Sequence, residues 1–171
     1  METLLPYRSR IDRRAEVRAL LGQEPLFFRA EASSPGLDRR QQAHVYVDVS
    51  GSMGEELPLL YGALAPLLDY LHPEIHLFST GVEDVTPFEL RRGEVRTAWG
   101  TGIDCVTGHM VKNRVRRALI VTDGWVGEVP SEHAKTLKRR GARVNSVLIH
   151  DGDSDFAQAF RGRTARLPRL A

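Results

Sequence analysis

The stretch His44-Val45-Tyr46-Val47-Asp48-Val49-Ser50-Gly51-Ser52-Met53-Gly54 decides how this chain is read. An apolar run with β-branched residues ends in a carboxylate, two hydroxyls and two glycines. The run reads as a buried strand, and the polar residues as a loop at its C-terminal end. Asp48, Ser50 and Ser52 stand two residues apart, and Gly51 and Gly54 let the backbone curl between them. A curled loop turns all three oxygens toward one point. Hard oxygen donors converging at a strand end suit Mg²⁺ or Mn²⁺, which accept carboxylate, hydroxyl and water ligands.

Two more loops of similar character lie downstream. Gly100-Thr101-Gly102 is one; the other is Thr122-Asp123-Gly124, directly after the apolar run Ala118-Leu119-Ile120-Val121. Taken in chain order, the three segments resemble the metal-ion-dependent adhesion site (MIDAS) of von Willebrand factor A (vWA) domains. That resemblance implies that Ser50 and Ser52 bind the metal directly and Thr101 directly or through water. Asp48 and Asp123 would act mostly through bound waters. It also implies one coordination position that an acidic side chain of a partner fills. In one respect the chain departs from many relatives: Trp99, not a second glycine, precedes Gly100. Trp99 and Trp125 are both expected near this end of the fold, packed into the core in preference to facing a partner.

Outward from the site, the pattern is an alternation of helices and strands. Leucines 57, 60, 64, 67, 68 and 71 form one stripe on a helix from Glu55 to Leu71, kinked at Pro66. Strands are expected over Glu74–Thr80 and Val85–Leu90; the connection between them is too short for a crossover helix, so they pair antiparallel. Glu94–Trp99 leads to the Thr101 loop, and a helix over Asp104–Lys112 takes Asp104 as its N-cap. Then follow a strand at Arg117–Thr122, a helix at Ser131–Arg140 closed by Gly141, a strand at Val144–His150, a short helix at Asp153–Phe160 and an edge strand at Thr164–Leu167. This alternation specifies an α/β fold, a three-layer α/β/α sandwich around a mostly parallel, Rossmann-like sheet. The resemblance adds a strand order, third-second-first-fourth-fifth-sixth, with the crevice between the strands ending at Asp48 and Asp123 as the switch point where such folds bind ligands.

Residues 1–42 read as an N-terminal arm, with a short helix from Ile11 to Leu21 ended by Gly22, an apolar cluster Leu26-Phe27-Phe28 and a turn at Ser33–Gly36; residues 43–171 form the vWA-like domain. Of a net charge of +2, the arm carries 8 Lys+Arg against 6 Asp+Glu, and the rest 16 against 16, far from a nucleic-acid signature. No apolar stretch approaches the roughly 18 residues that span a bilayer, and the N-terminus lacks the apolar core of a signal peptide. Cys105 is the one cysteine and reads as a small buried residue. These features point to the cytoplasm.

Other patterns fail. Gly100-x-Gly102-x-x-Cys105 lacks the third glycine of a dinucleotide loop, and Asp151-x-Asp153-x-Asp155 has Phe156 where a calcium loop needs glycine. There is no P-loop. His72 and His76 stand four apart, but Pro73 breaks the helix that would align them. No catalytic set emerges. The function expected is therefore a non-enzymatic, divalent-metal-dependent protein-interaction module. It is similar to the intracellular bacterial vWA branch, which often works with AAA+ ATPases of the MoxR group or is fused to other domains. Basic clusters at Lys112–Arg117 and Lys138–Arg143 carry the alternative of an RNA-associated module like those of Ro-type ribonucleoproteins. A metal-dependent hydrolase is weaker still, because such chemistry wants more direct carboxylates or a placed base.

Overall fold

The computed structural model describes residues 7–11, 31–34, 42–64, 67, 71–86, 88–89, 100–149 and 152–167. The chain divides into two compact units, Met1–Asp38 and Arg39–Ala171. In the first, β1 (Tyr7–Ile11) pairs antiparallel with β2 (Glu31–Ser34). Ile11 thus closes a strand where a helix was expected to begin, and Ser33 and Ser34 are strand, not turn. The remainder of the expected helix, with Phe27 and Phe28, lies outside the described residues.

The second unit is built on a six-stranded sheet of order β5-β4-β3-β6-β7-β8. Its strands are β3 (Ala43–Asp48), β4 (Leu71–Phe78), β5 (Val82–Val85), β6 (Arg117–Thr122), β7 (Arg143–Ile149) and β8 (Thr164–Leu167). All pairings are parallel except β4 with β5. The fold class is therefore the expected one, a mostly parallel sheet with an antiparallel edge strand between helical layers.

Alternation along the strands builds the two cores. Val45 and Val47 of β3 join Ile75 and Leu77 of β4 on one face, covered by Leu57, Leu60 and Leu64 of α1 (Leu57–Leu64). Each such leucine, fully buried, contributes roughly 1.5–3 kcal/mol. Tyr46, Phe78, Ala118, Ile120, Val144 and Leu148 form the other face. It packs against Ile103, Val106 and Met110 of α2 (Ile103–Lys112) and Leu137 of α3 (Ser131–Arg139).

Several boundaries moved. Leu71 opens β4 instead of closing the leucine helix, and Leu67 is exposed; Pro66 lies outside the described residues, as do Glu94–Trp99. Pro73 sits inside β4, which a proline tolerates only where a ladder bond is dispensable. The register shift between Ala43 and Val45 falls at this point, and pairing with β5 starts only at Ile75. The antiparallel strand occupies Val82–Val85, not Val85–Leu90. Asp104 lies in the first turn of α2; the N-cap position belongs to Gly102. The last helical segment is a 3-10 turn, Asp155–Ala159.

Candidate metal centre

The parallel strands β3 and β6 are direct neighbours, with Val47 opposite Val121, so Asp48 and Thr122 end side by side. Beyond Asp48 the chain forms a 3-10 turn, Gly51–Met53, with the Met53 N–H bonded to the Ser50 carbonyl (3.0 Å). The turn brings the hydroxyls round as the spacing of Ser50 and Ser52 requires. Asp48 is fully buried, Ser50 and Asp123 nearly so, Thr101 half-buried and Ser52 exposed.

All five expected residues meet in one network. Ser50 Oγ lies 3.1 Å from Ser52 Oγ, and Ser52 Oγ donates to Asp123 Oδ2 at 2.6 Å. Thr101 Oγ1 reaches Asp48 Oδ2 at 3.4 Å. Asp48 is held from below: its Oδ1 accepts from the Ser50 N–H (2.9 Å) and its Oδ2 from Thr122 Oγ1 (2.6 Å). Thr122 Oγ1 in turn accepts from the Gly124 N–H at 3.0 Å. Thr122 is a positioning residue that motif reading passed over. Its place directly before Asp123 on an adjacent strand is the signal that could have found it.

Two neighbouring loops fix the outer donors. Gly100 takes φ +82°, a left-handed conformation that favours glycine, and the Gly102 N–H bonds to the Ser79 carbonyl (2.9 Å). Those contacts pin Thr101. The Asp123–Gly124 backbone crosses the Gly152–Asp153 backbone so closely that a Cβ on either glycine would overlap the other strand of chain. Asp123 Oδ1 accepts from the Trp125 N–H at 3.1 Å. The indole itself is 70% exposed, so the expected core packing of Trp125 does not hold. Trp99 lies outside the described residues.

Burial pushes the Asp48 carboxyl above its usual range; hydrogen bonds from Thr122 and Ser50 oppose this, and the Asp123 charge adds to it. Among the described residues no Lys, Arg or His forms an ion pair with Asp48 or Asp123. Burial makes the ionised Asp48 carboxylate costly to hold without a cation beside it. A divalent cation with hard oxygen ligands fits that donor set. Cys105 is not a competing nucleophile: it donates to the Gly102 carbonyl (3.0 Å), and burial lifts its thiol to about 11.

No family model matches the sequence, and no curated protein does. Solved structures do. Proximal thread matrix protein 1 (PTMP1) from the mussel byssus aligns over 72% of this chain with TM-score 0.54 and 18% identity. A second structure of it, described as having a zinc-occupied MIDAS motif, aligns over 72% with TM-score 0.50 and 18% identity. This chain covers less than half of theirs, 43% and 44%. At that identity the likeness defines the fold: this is a vWA-like α/β domain. No helix among the described residues is long and apolar enough to cross a membrane.

Proposed function

We propose that the protein is a non-enzymatic, divalent-metal-dependent interaction module in which Asp48, Ser50, Ser52, Thr101 and Asp123 hold Mg²⁺ or Mn²⁺ and capture an acidic side chain of a partner. The observation that carries this reading is the pair of buried carboxylates at the end of the sheet, Asp123 accepting from the Ser52 hydroxyl and Asp48 from the Thr101 hydroxyl, with no cationic side chain paired to either among the described residues. The bound ion supplies a Lewis-acidic point of attachment for a carboxylate. The chain's own residues do the positioning. Thr122 and the Ser50 N–H keep Asp48 in place, and Ser52 and Thr101 present neutral hydroxyls at the surface. Neutral donors leave positive charge uncompensated, which favours one more carboxylate from outside. Zinc in the site of one PTMP1 structure supports a divalent ion and adds zinc to the ions worth testing. The partner class that fits the resemblance is a AAA+ ATPase of the MoxR group in a bacterial cytoplasm.

Calorimetry on the chelator-treated protein tests the site. One Mg²⁺ or Mn²⁺ should bind, and binding should be lost in Asp48→Ala and weakened in Ser52→Ala, whose exposed side chain leaves the core untouched. Since a ligand of the folded state alone stabilises it, by about 2.7 kcal/mol at a hundred times Kd, the ion should also raise Tm. Unchanged Mg²⁺ binding in both variants would remove the assignment.

A further inference from the structure

At the other end of the sheet lies a cluster that the strand-end site does not use. Alternation puts His44 and Tyr46 of β3, His72 and His76 of β4 and Asp84 of β5 on the face covered by α2, whose His109 joins them. His72 and His76 lie in a strand, where a spacing of four residues shares one face; the helix that Pro73 would have broken is not there. His44 Nδ1 lies 2.8 Å from His76 Nε2, and His76 Nδ1 lies 2.6 Å from Asp84 Oδ1. The rings of His44 and His72 stack at 4.0 Å. The cluster borders a cavity of about 790 Å³, beside the buried, unpartnered Oε1 of Gln42.

We propose that His44, His72 and His76 form a second, nitrogen-ligand metal site for Zn²⁺ or a similar borderline cation, with Asp84 as the carboxylate that orients His76. A carboxylate oxygen accepts, so His76 Nδ1–H donates to Asp84 Oδ1 and the Nε2 lone pair of His76 faces His44. A histidine whose second nitrogen is tied to a carboxylate is the arrangement that metal-binding histidines use. Zinc–nitrogen bonds of 2.0–2.1 Å place two ligands of a tetrahedral ion about 3.3 Å apart, so little movement converts the 2.8 Å His44–His76 contact into a shared ion once the His44 ring changes tautomer, its proton passing from Nδ1 to Nε2. One nitrogen from each of the three rings lies within 4.8 Å of the others.

The alternative trio of His76, Asp84 and His109 is less suited. His109 Nδ1 is 2.9 Å from Tyr46 Oη and its Nε2 2.8 Å from Asn113 Nδ2, so both nitrogens are engaged. His72 is the ring that must turn, because lone pairs of stacked rings run parallel. Its polar contacts are weak, a 3.3 Å contact from the Glu74 N–H and a 3.9 Å approach to the Glu74 carboxylate, and it is partly exposed, so turning costs it mainly the stack on His44. Imidazole ligands prefer Zn²⁺, Co²⁺ or Ni²⁺ over Mg²⁺, which separates this site chemically from the oxygen-lined centre. The proposal stands whether or not that centre binds metal.

The test is titration of the chelator-treated full chain with Co²⁺, read by visible absorption, and with Zn²⁺, read by calorimetry in excess Mg²⁺. The expected result is one Zn²⁺ or Co²⁺ site kept in Ser52→Ala, weakened at least tenfold in His44→Ala and His72→Ala, and weakened about 10- to 100-fold in Asp84→Asn. His109→Gln should leave it unchanged. On the wild type, where no variant has to fold, Zn²⁺ should shift the imidazole ¹⁵N resonances of His44, His72 and His76. No Zn²⁺-dependent shift of these rings, or undiminished affinity in His44→Ala and His72→Ala, overturns the proposal; loss confined to His109→Gln and Asp84→Asn overturns the ligand set.

Discussion

At the scale of single residues, Asp48 shows how a charge is made affordable inside a fold. It is fully buried, yet three groups aim donors at its oxygens: the Ser50 amide, the Thr122 hydroxyl and the Thr101 hydroxyl. Thr122 matters most, because it is itself buried and couples Asp48 to the Gly124 amide. Thr122→Val keeps the volume but strands both partners. It should destabilise the fold by about 1–3 kcal/mol, the usual cost of leaving buried polar groups unpaired, as read by urea denaturation. It should also weaken Mg²⁺ binding, since Asp48 loses its guide. A variant with unchanged stability would show that the 2.6 Å contact carries little energy.

At the scale of elements, the site depends on loops held by backbone contacts more than by side chains. The loop after β6 is pinned where Gly124 and Gly152 let two backbones cross. Any side chain at Gly152 meets the Asp123 carbonyl, which is backbone and cannot swing away. Gly152→Ala should therefore push Asp123 outward, costing more than about 2 kcal/mol and lowering metal affinity together, with thermal melts and calorimetry as the measurements. A substitution that lowered stability alone would place the crossing outside the site's support. The α1 stripe behaves differently. Leu57, Leu60 and Leu64 fill a core, whereas Leu67 of the same run, beyond the helix Leu57–Leu64, is half-exposed.

At the scale of the whole molecule, the vWA-like domain has two chemically distinct ends. One gathers hydroxyls and carboxylates where β3 and β6 end; the other gathers imidazoles on β3, β4 and α2. The exposed Trp125 stands beside the first. A large apolar ring left in water next to a binding centre is the kind of group that anchors interfaces. Trp125→Ala should weaken partner binding at least tenfold while leaving Tm within a degree or two, and chelator should release the partner until Mg²⁺ is restored. A partner indifferent to both would use another face.

Local pattern decided a good part of this protein. Runs such as Val45–Val47 and Ala118–Val121 carry their own strand signal, and Asp48, Ser50 and Ser52 declare a loop because hydroxyls and glycines at that spacing have few other uses. The helix–strand alternation sufficed for the α/β class, and the resemblance supplied the strand order seen in the sheet. What tertiary structure alone decided depends on register between segments distant in sequence. Thr122 becomes a partner of Asp48 only because β6 lies beside β3. Whether Trp125 packs inward or faces water turns on a loop crossing that no local pattern encodes. The histidines are the clearest case: His44, His76 and His109 lie far apart in the chain, and side-chain chemistry that depends on strand pairing stays invisible until the strands are paired.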